Sequence, residues 1–292
     1  MAGEKIPPLT LEQVAPYLDA NRRNAESLIA AYIVTGSEKA LLEEAKQKYP
    51  NDPRVAYFAA VRADSPEDRQ QWLNAFKQSA PDNPLPNYLS ALDHFKNNQI
   101  GEAMQDLTVA AAQPKYQDYS AEFVQNDTEA YLAAGYSEAD AKVQASASLI
   151  LPQLAQLKQL GVNLADSAKS SLQAGDAASA QALVQAGLTL GQRLEEPGGG
   201  NVLITDLVGI AVERLALGAL DPATPYGNSG QTVQDQIDQA LGRRDAIKSL
   251  SQQFEAVVPT LSDQDLIGYL DRQKISGEMA AERWVLAKYA TK

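Results

Sequence analysis

The sequence predicts an all-α protein built from consecutive helix pairs. Three observations support this prediction. The chain is rich in Ala, Leu and Gln, it lacks sustained alternation of apolar and polar residues, and its helix-boundary signals recur at a fixed interval. Aromatic residues make up only 7% of the chain, and such a composition favours helices over strands.

Composition and charge narrow the classes of function. The chain has 292 residues, of which 45% are hydrophobic, enough for one or two domains or for one extended array. Its net charge of −12 opposes binding to phosphate backbones, so we expect no nucleic-acid partner. Because the sequence contains no cysteine, disulfides, thiolate metal sites and cysteine nucleophiles are excluded.

The sequence gives little information on the compartment. The first residues, MAGEKIPPLTLEQ, contain no apolar segment of the signal-peptide type. Charged residues interrupt the most apolar run, 201–220, which favours a buried helix over a membrane span. One hypothesis is a bacterial, extracytoplasmic protein whose leader has been removed. It is based on the lack of cysteine and on an N-terminus that looks truncated. A cytoplasmic protein is the other.

Two stretches, 49–61 and 80–92, repeat the same helix-boundary signals. Five residue pairs share an offset of 31 (for example 81 − 50 = 31): Pro50 with Pro81, Pro53 with Pro84, Tyr57 with Tyr88, Ala60 with Ala91, and Val61 with Leu92. Sequence periods between about 20 and 50 residues are typical of stacked structural units. The offset therefore predicts a helical repeat.

The residue types at these positions explain the pattern. The first proline of each stretch ends the preceding helix, because the residue before a proline is disfavoured in the α region. Asn51-Asp52 and Asp82-Asn83 supply side-chain oxygens that cap the next helix. Pro53 and Pro84 then suit its first turn, where the backbone N–H has no partner in any case.

A second helix is predicted in each unit. After Asp64, Ser65 is the expected cap, Pro66 the first helical residue, and Asp68 follows three residues after the cap. Similar helices are predicted after Asn98 and upstream, where Gly36 separates two helical segments. The sequence thus predicts three helix–turn–helix units of about 31 residues each within residues 21–114.

These units resemble tetratricopeptide repeats. That family packs its helix pairs through small residues spaced by 12 and then 7 positions. Two triplets have this spacing (103 − 91 = 12; 110 − 103 = 7): Ala91, Ala103 and Ala110, and Ala168, Ala180 and Gly187, with Gly175 at the intervening turn. The resemblance is clearest in 21–114 and 163–195, although the family period is 34. It implies an α-α superhelix with additional C-terminal helices.

The resemblance also implies a binding surface, because the first helix of each unit lines a concave groove in that family. It places four residues on or near this groove: Tyr57, Tyr88, Leu92 and Phe95. Tyrosine is a common anchor at interfaces, but repeated tyrosines can instead pack neighbouring units against one another. Arg22 and Arg23 open the first unit and could bind a peptide carboxylate or remain solvated.

The remaining chain is divided by composition. The segment EEPGGGN, 195–201, is predicted to be a flexible loop. The predicted segments are an N-terminal lead-in (1–20), the three units (21–114), degenerate helical repeats (115–220), a linker (221–232) and C-terminal helices (233–292).

No catalytic, cofactor-binding or metal-binding residue is predicted. His94 is the single histidine and is expected on a helix surface or in a groove, since a zinc site would need further ligands. The GGG at 198–200 lacks the remainder of a phosphate-binding loop. The SDQD at 262–265 lacks the other ligands of a calcium loop and is predicted to begin a helix.

Three functional hypotheses remain. The preferred one is a non-catalytic scaffold that binds a peptide or partner protein in a helical-repeat groove. The alternative is an α/α-type enzyme or small-ligand-binding protein with a carboxylate-lined cleft in 115–292. A third is a homo-oligomer in which copies of the chain cover the exposed ends of the repeat.

Overall fold

The computed structural model describes residues 7–196, 202–227 and 230–289. Within these ranges every extended regular element is a helix, which confirms the predicted all-α class. The α-helices are α1 (Leu11–Ala20), α2 (Ala25–Val34), α3 (Lys39–Lys48), α4 (Pro53–Val61), α5 (Pro66–Ser79), α6 (Leu85–Lys96), α7 (Ile100–Ala112), α8 (Ser120–Ala133), α9 (Glu138–Ser148), α10 (Pro152–Gln173), α11 (Ala177–Glu195), α12 (Leu203–Leu217), α13 (Val233–Val257), α14 (Asp263–Ser276) and α15 (Glu278–Tyr289).

The chain forms two compact units, each assembled from separate stretches of sequence. Unit 1 comprises Met1–Ala80, Tyr119–Leu151 and Ser251–Lys292. Unit 2 comprises Pro81–Asp118 and Pro152–Leu250. These boundaries cut across the predicted segments, because the third helix pair of 21–114 belongs to unit 2 while the first two belong to unit 1.

The first two predicted helix pairs are present in unit 1, as α2–α3 and α4–α5. The Asp52 side chain caps α4 by accepting from the backbone N–H of Arg54 and of Val55. Ser65 caps α5 by accepting from the N–H of Asp68 at 3.1 Å. Each capped terminus begins with a proline, as predicted, so the local sequence fixes these helix starts.

The third predicted pair, α6–α7, lies in unit 2. Asn83 Oδ1 accepts from the N–H of Leu85 at 3.1 Å, and Pro84 has helical dihedral angles just before the helix begins. Within this unit α6 packs against α10, α7 packs against α11, and α10, α11 and α12 pack together. All three members of the triplet Ala91, Ala103 and Ala110 are fully buried.

Aromatic side chains form the centre of unit 1. Six rings lie with neighbouring centroids 5.1–6.4 Å apart: Tyr32, Tyr57, Phe58, Phe76, Tyr119 and Phe123. The last two come from the start of α8, a helix that also packs against α1 and α2. Residues separated by more than 60 positions in the sequence thus share one core.

Glycines form the helix contacts at the centre of unit 2. A Cβ at Gly191 of α11 would lie 2.8 Å from the carbonyl oxygen of Gly209 in α12. A Cβ at Gly187 would lie 2.7 Å from the Cβ of Ala216, and one at Gly161 would lie 2.9 Å from Val212. The missing side chains therefore allow α10, α11 and α12 to approach closely.

Two predicted irregular segments fall partly outside the described residues. The loop was predicted at 195–201. Its first residue, Glu195, belongs to α11, and residues 197–201, which include the GGG, lie outside the described residues. In the linker predicted at 221–232, Val233 N–H donates to Thr224 O at 3.0 Å, and residues 228–229 lie outside. Across the described residues, no helix combines the length and apolar character that crossing a membrane requires.

At the C-terminal end, SDQD begins a helix as predicted. Ser262 caps α14 by accepting from the N–H of Asp265 at 3.2 Å. Helix α14 ends at Ser276. Gly277 separates it from α15 with a φ of +85°, a conformation that glycine adopts without steric cost.

Candidate functional site

A solvent-open cleft in unit 2 is the candidate site. It lies where the α6–α7 turn meets the middle of α10, and its volume is about 410 Å³. Two apolar and six polar residues line this α6–α10 cleft: Phe95, Ile100, Lys96, Asn98, Gln159, Asn163, Asp166 and Ser167. Cavities of this size lie within the usual range for binding sites, about 300–1,000 Å³.

The α6–α7 turn forms one wall of the cleft and has a defined conformation. The carbonyl oxygen of His94 accepts from the N–H of Asn97 at 3.1 Å and from the N–H of Gln99 at 2.9 Å. Asn98 has a φ of +59°, a left-handed conformation that asparagine tolerates better than most residues. The turn therefore reverses the chain within three residues and brings Asn98 to the cleft.

The apolar part of the cleft comes from the two ends of this turn. Phe95, in the last turn of α6, is 9% exposed, and Ile100, the first residue of α7, is 36% exposed. An aliphatic side chain at a helix start has few neighbours on its own helix. Ile100 consequently offers apolar surface to a ligand.

The opposite wall is one polar face of α10. Gln159, Asn163, Asp166 and Ser167 are spaced by 4, 3 and 1 positions, which places them on the same side of a helix. Gln159 Nε2 donates to Asn163 Oδ1 at 3.0 Å. Primary amides both donate and accept hydrogen bonds, so this wall can pair with either polar group of a peptide backbone.

The cleft also has charges of both signs. Lys96 Nζ lies 3.3 Å from Asp93 Oδ1 in an exposed pair, which contributes little to stability and leaves the ammonium in contact with solvent. Asp166 contributes a carboxylate from the α10 wall. Apolar surface, amides and opposite charges together suit a mixed-polarity ligand such as a peptide.

The structure buries most of the residues that the sequence assigned to a partner surface. Tyr57, Tyr88 and Leu92 are each 1% exposed and pack in the cores of their units. This burial matches the second interpretation of the repeated tyrosines, in which they pack against neighbouring helices. Their partner-binding role stays an untested prediction, and in this conformation they offer no surface for it. Phe95 alone of the four lines the α6–α10 cleft.

The two arginines differ from each other. Arg22 is exposed, with a φ of +54° in the turn after α1. Arg23 Nε donates to Glu44 Oε1 at 2.8 Å, and a second guanidinium nitrogen bonds the same carboxylate. The pair occupies the Nε–Nη2 edge of the Arg23 guanidinium, an edge that suits bidentate binding of a peptide carboxylate.

The alternative hypothesis, a carboxylate-lined cleft in 115–292, directs attention to two carboxylates beside one arginine in unit 2. Arg243 Nε donates to Glu195 Oε2 at 3.0 Å, and the same guanidinium bonds Glu213. Burial raises the pKa of both glutamates, and the Arg243 guanidinium opposes that rise. Because the guanidinium binds both carboxylates, the cluster resembles a structural ion-pair network more than an acid–base pair.

Two further acids have perturbed environments in unit 1. Asp127 of α8 is fully buried, neither carboxyl oxygen has a hydrogen-bond partner, and burial raises its pKa well above the usual value. Burial also raises the pKa of Glu282 in α15 to about 7. Neither residue lines the α6–α10 cleft. Among the residues that the structure describes, no three His, Asp or Glu side chains converge as ligands for a metal ion.

The comparisons with known proteins add no further assignment. Searches against protein-family models, curated proteins and solved structures found no match to this chain. The function must therefore be inferred from the residues of the site.

Proposed function

We propose that the protein is a non-catalytic interaction module of the tetratricopeptide-like kind, and that it holds a peptide segment of a partner protein in the α6–α10 cleft. The observation that supports this proposal is the combination, in one open cleft, of apolar side chains on one wall with an amide-rich second wall. Fold class alone would not support it, because one helical architecture serves many functions.

Peptide chemistry matches the two walls. A peptide backbone offers an N–H donor and a C=O acceptor at each residue, and Asn98, Gln159 and Asn163 can satisfy both kinds of group. Phe95 and Ile100 can contact one apolar side chain of the same peptide. Apolar anchors surrounded by polar contacts are typical of protein interfaces.

The helix packing around the cleft supports the tetratricopeptide-like part of the proposal. The triplet Ala91, Ala103 and Ala110, which has the family spacing, is fully buried in the α6–α7 pair. Ala168 and Ala180 of the second triplet are also fully buried, and Gly175 has a φ of +78° in the turn between α10 and α11. Small residues thus lie where the resemblance expects two helices to meet.

Site-specific crosslinking tests the location of the site. A photoreactive residue in place of Ile100 should crosslink a partner in lysate of the source cells. The same residue in place of Val109, which is 51% exposed on α7 but does not line the cleft, is the control. A product with twice the mass of the chain would instead indicate association between copies.

The identified partner then permits a binding measurement by calorimetry. We expect Ile100→Asp to weaken binding roughly tenfold or more, because a charge replaces the apolar contact. Val109→Asp should leave the affinity unchanged. Equal affinities for all three proteins would place the binding site elsewhere and contradict the proposal.

A further inference from the structure

His94 lies directly beside the α6–α10 cleft and contacts two oxygen atoms. It occupies the last turn of α6, next to the cleft residues Phe95 and Lys96. Its Nδ1 is 3.1 Å from Gln99 Oε1, and its Nε2 is 3.5 Å from Asp106 Oδ2. Both ring nitrogens therefore face potential acceptors, one in the α6–α7 turn and one on α7.

The number of hydrogen bonds that this arrangement can form depends on the charge of the ring. A neutral imidazole has one N–H donor and one acceptor nitrogen, so it can donate to only one of the two oxygens. An imidazolium donates from both nitrogens and can bind both. Histidine is the side chain whose charge usually changes between about pH 5 and 8.

The same residue organises the turn that forms one wall of the cleft. The His94 carbonyl accepts from the N–H groups of Asn97 and Gln99, while its ring faces the Gln99 side chain. Gln99 is in turn the residue that precedes α7. A change in the charge of the ring can thus alter the positions of Asn98 and Ile100, the two cleft residues on either side of Gln99.

Charged residues occur on α6 itself and on α7 and α10, the helices that pack against it. On α7 the charged residues are Glu102 and Asp106, and Asp106 forms the ion-pair contact with the ring. On α6 the neighbours Asp93 and Lys96 pair with each other. The charged residues of α10, which also packs against α6, are Lys158, Asp166 and Lys169. Within the described part of the chain, only Asp106 places a carboxylate within 4.0 Å of the ring.

We propose that His94 is a pH-sensitive switch for the α6–α10 cleft. In the protonated state the ring donates to both Gln99 and Asp106 and fixes the α6–α7 turn. In the neutral state with its hydrogen on Nε2, the ring presents the Nδ1 lone pair to the Gln99 oxygen, so the Gln99 side chain must reorient. This inference rests on the proposed function for one consequence alone: a peptide binds the cleft more tightly when His94 is protonated than when it is neutral.

Nuclear magnetic resonance can test the switch without any partner. Because the chain has one histidine, its imidazole gives a single set of signals. The ring nitrogens and the amides of Asn98 and Ile100 would be followed from pH 5 to 8.5 in the 292-residue chain. We expect both amide signals to shift over the same pH interval as the ring.

Three variants sharpen this measurement. His94→Gln should abolish the pH dependence of both amides. Asp106→Asn, which removes the carboxylate 3.5 Å from Nε2, should change the ring and amide transitions together. Asp93→Asn, which removes a neighbouring carboxylate that pairs with Lys96, is the matched control and should leave the interval in place.

Either of two results would overturn the proposal: amides that do not follow the ring, or a ring transition that Asp106→Asn leaves unchanged. Neither result would bear on peptide binding, since the experiment contains no peptide. Conversely, a failed crosslinking experiment would leave the titration of the turn intact, so the two proposals can fail separately.

Discussion

The cores of units 1 and 2 differ in the size of the side chains that lie between their helices. In unit 1, six aromatic rings fill the space between helices, with centroids 5.1–6.4 Å apart. In unit 2, helices α11 and α12 contact each other through glycines. A Cβ at Gly191 would lie 2.8 Å from the carbonyl oxygen of Gly209, which is too close. Large aromatic side chains thus fill the space between the helices of unit 1, whereas glycines let the helices of unit 2 approach closely.

This difference determines which changes each unit tolerates. Removing a ring from unit 1 leaves a cavity, because closely packed neighbours relax only partly. Adding atoms between α11 and α12 forces the helices apart or displaces a side chain. Unit 1 should therefore be sensitive to large-to-small substitutions, and unit 2 to small-to-large substitutions.

The largest effect is expected at Phe58 of unit 1. Its ring is fully buried and contacts the rings of Tyr32, Tyr57 and Phe123. Phe58→Ala should lower the free energy of unfolding by about 3–5 kcal/mol, measured by denaturant titration. Leu132→Ala, at a 43% exposed position of α8, is the control and should cost much less. Similar losses in both variants would contradict the aromatic-core interpretation.

A smaller loss is expected at Gly191 of unit 2. In Gly191→Ala the new Cβ would lie 2.5 Å from Glu213 Cγ and 2.8 Å from Gly209 O. We expect a net loss of about 1–3 kcal/mol, even though alanine favours a helix over glycine. Gly242→Ala in α13 is the matched control: no atom lies within 4 Å of the new Cβ, and the variant should be stabilised by about 0.5–1 kcal/mol. A gain at both positions would show that α11 and α12 separate easily.

The pH dependence of unfolding should report the buried Asp127 of unit 1. Burial raises the pKa of this carboxyl in the folded state, so the folded chain retains a proton that the unfolded chain releases above about pH 4. The free energy of unfolding should thus fall as pH rises through the folded-state pKa, by up to about 1.4 kcal/mol per pH unit. Asp127→Asn should remove this contribution, so the variant gains stability relative to wild type as pH rises. A constant difference across pH would show that Asp127 titrates normally.

The smallest effects are expected at helix caps, where the two units should behave alike. Ser65 in unit 1 accepts from Asp68 N–H at 3.1 Å, and Asp176 in unit 2 accepts from Ser179 N–H at 3.0 Å. Ser65→Ala and Asp176→Ala should each cost about 1 kcal/mol in thermal or denaturant unfolding. Ser65→Asp, which keeps an acceptor, should cost much less. Unequal losses in the two alanine variants would mean that capping depends on the surrounding core.

The candidate site was only partly predictable. Phe95 was assigned to a binding surface from the repeat and lines the cleft, but Tyr88 and Leu92, on the same helix, are buried. The α10 wall was missed entirely. Its signal was a run of polar residues at helical spacing, from Gln159 to Ser167, and the same spacing is ordinary on any solvent-facing helix.

Several helix boundaries followed from the sequence, because they depend on contacts between residues a few positions apart. The caps at Asp52, Ser65 and Ser262 and the turn at Gly175 are of this kind. The all-α class followed for the same reason, since it is the sum of such local preferences.

Packing between distant segments required the folded structure. The repeat at an offset of 31 predicted three equivalent helix pairs, yet the third pair packs with α10 and α11 in unit 2. Tyr57 faces rings from α8, more than 60 residues away, and so lies in a core instead of a groove. Local signals fix where a helix starts and ends. Which of its faces is covered depends on the apolar surfaces that the rest of the chain brings to it, and no short-range pattern records that choice.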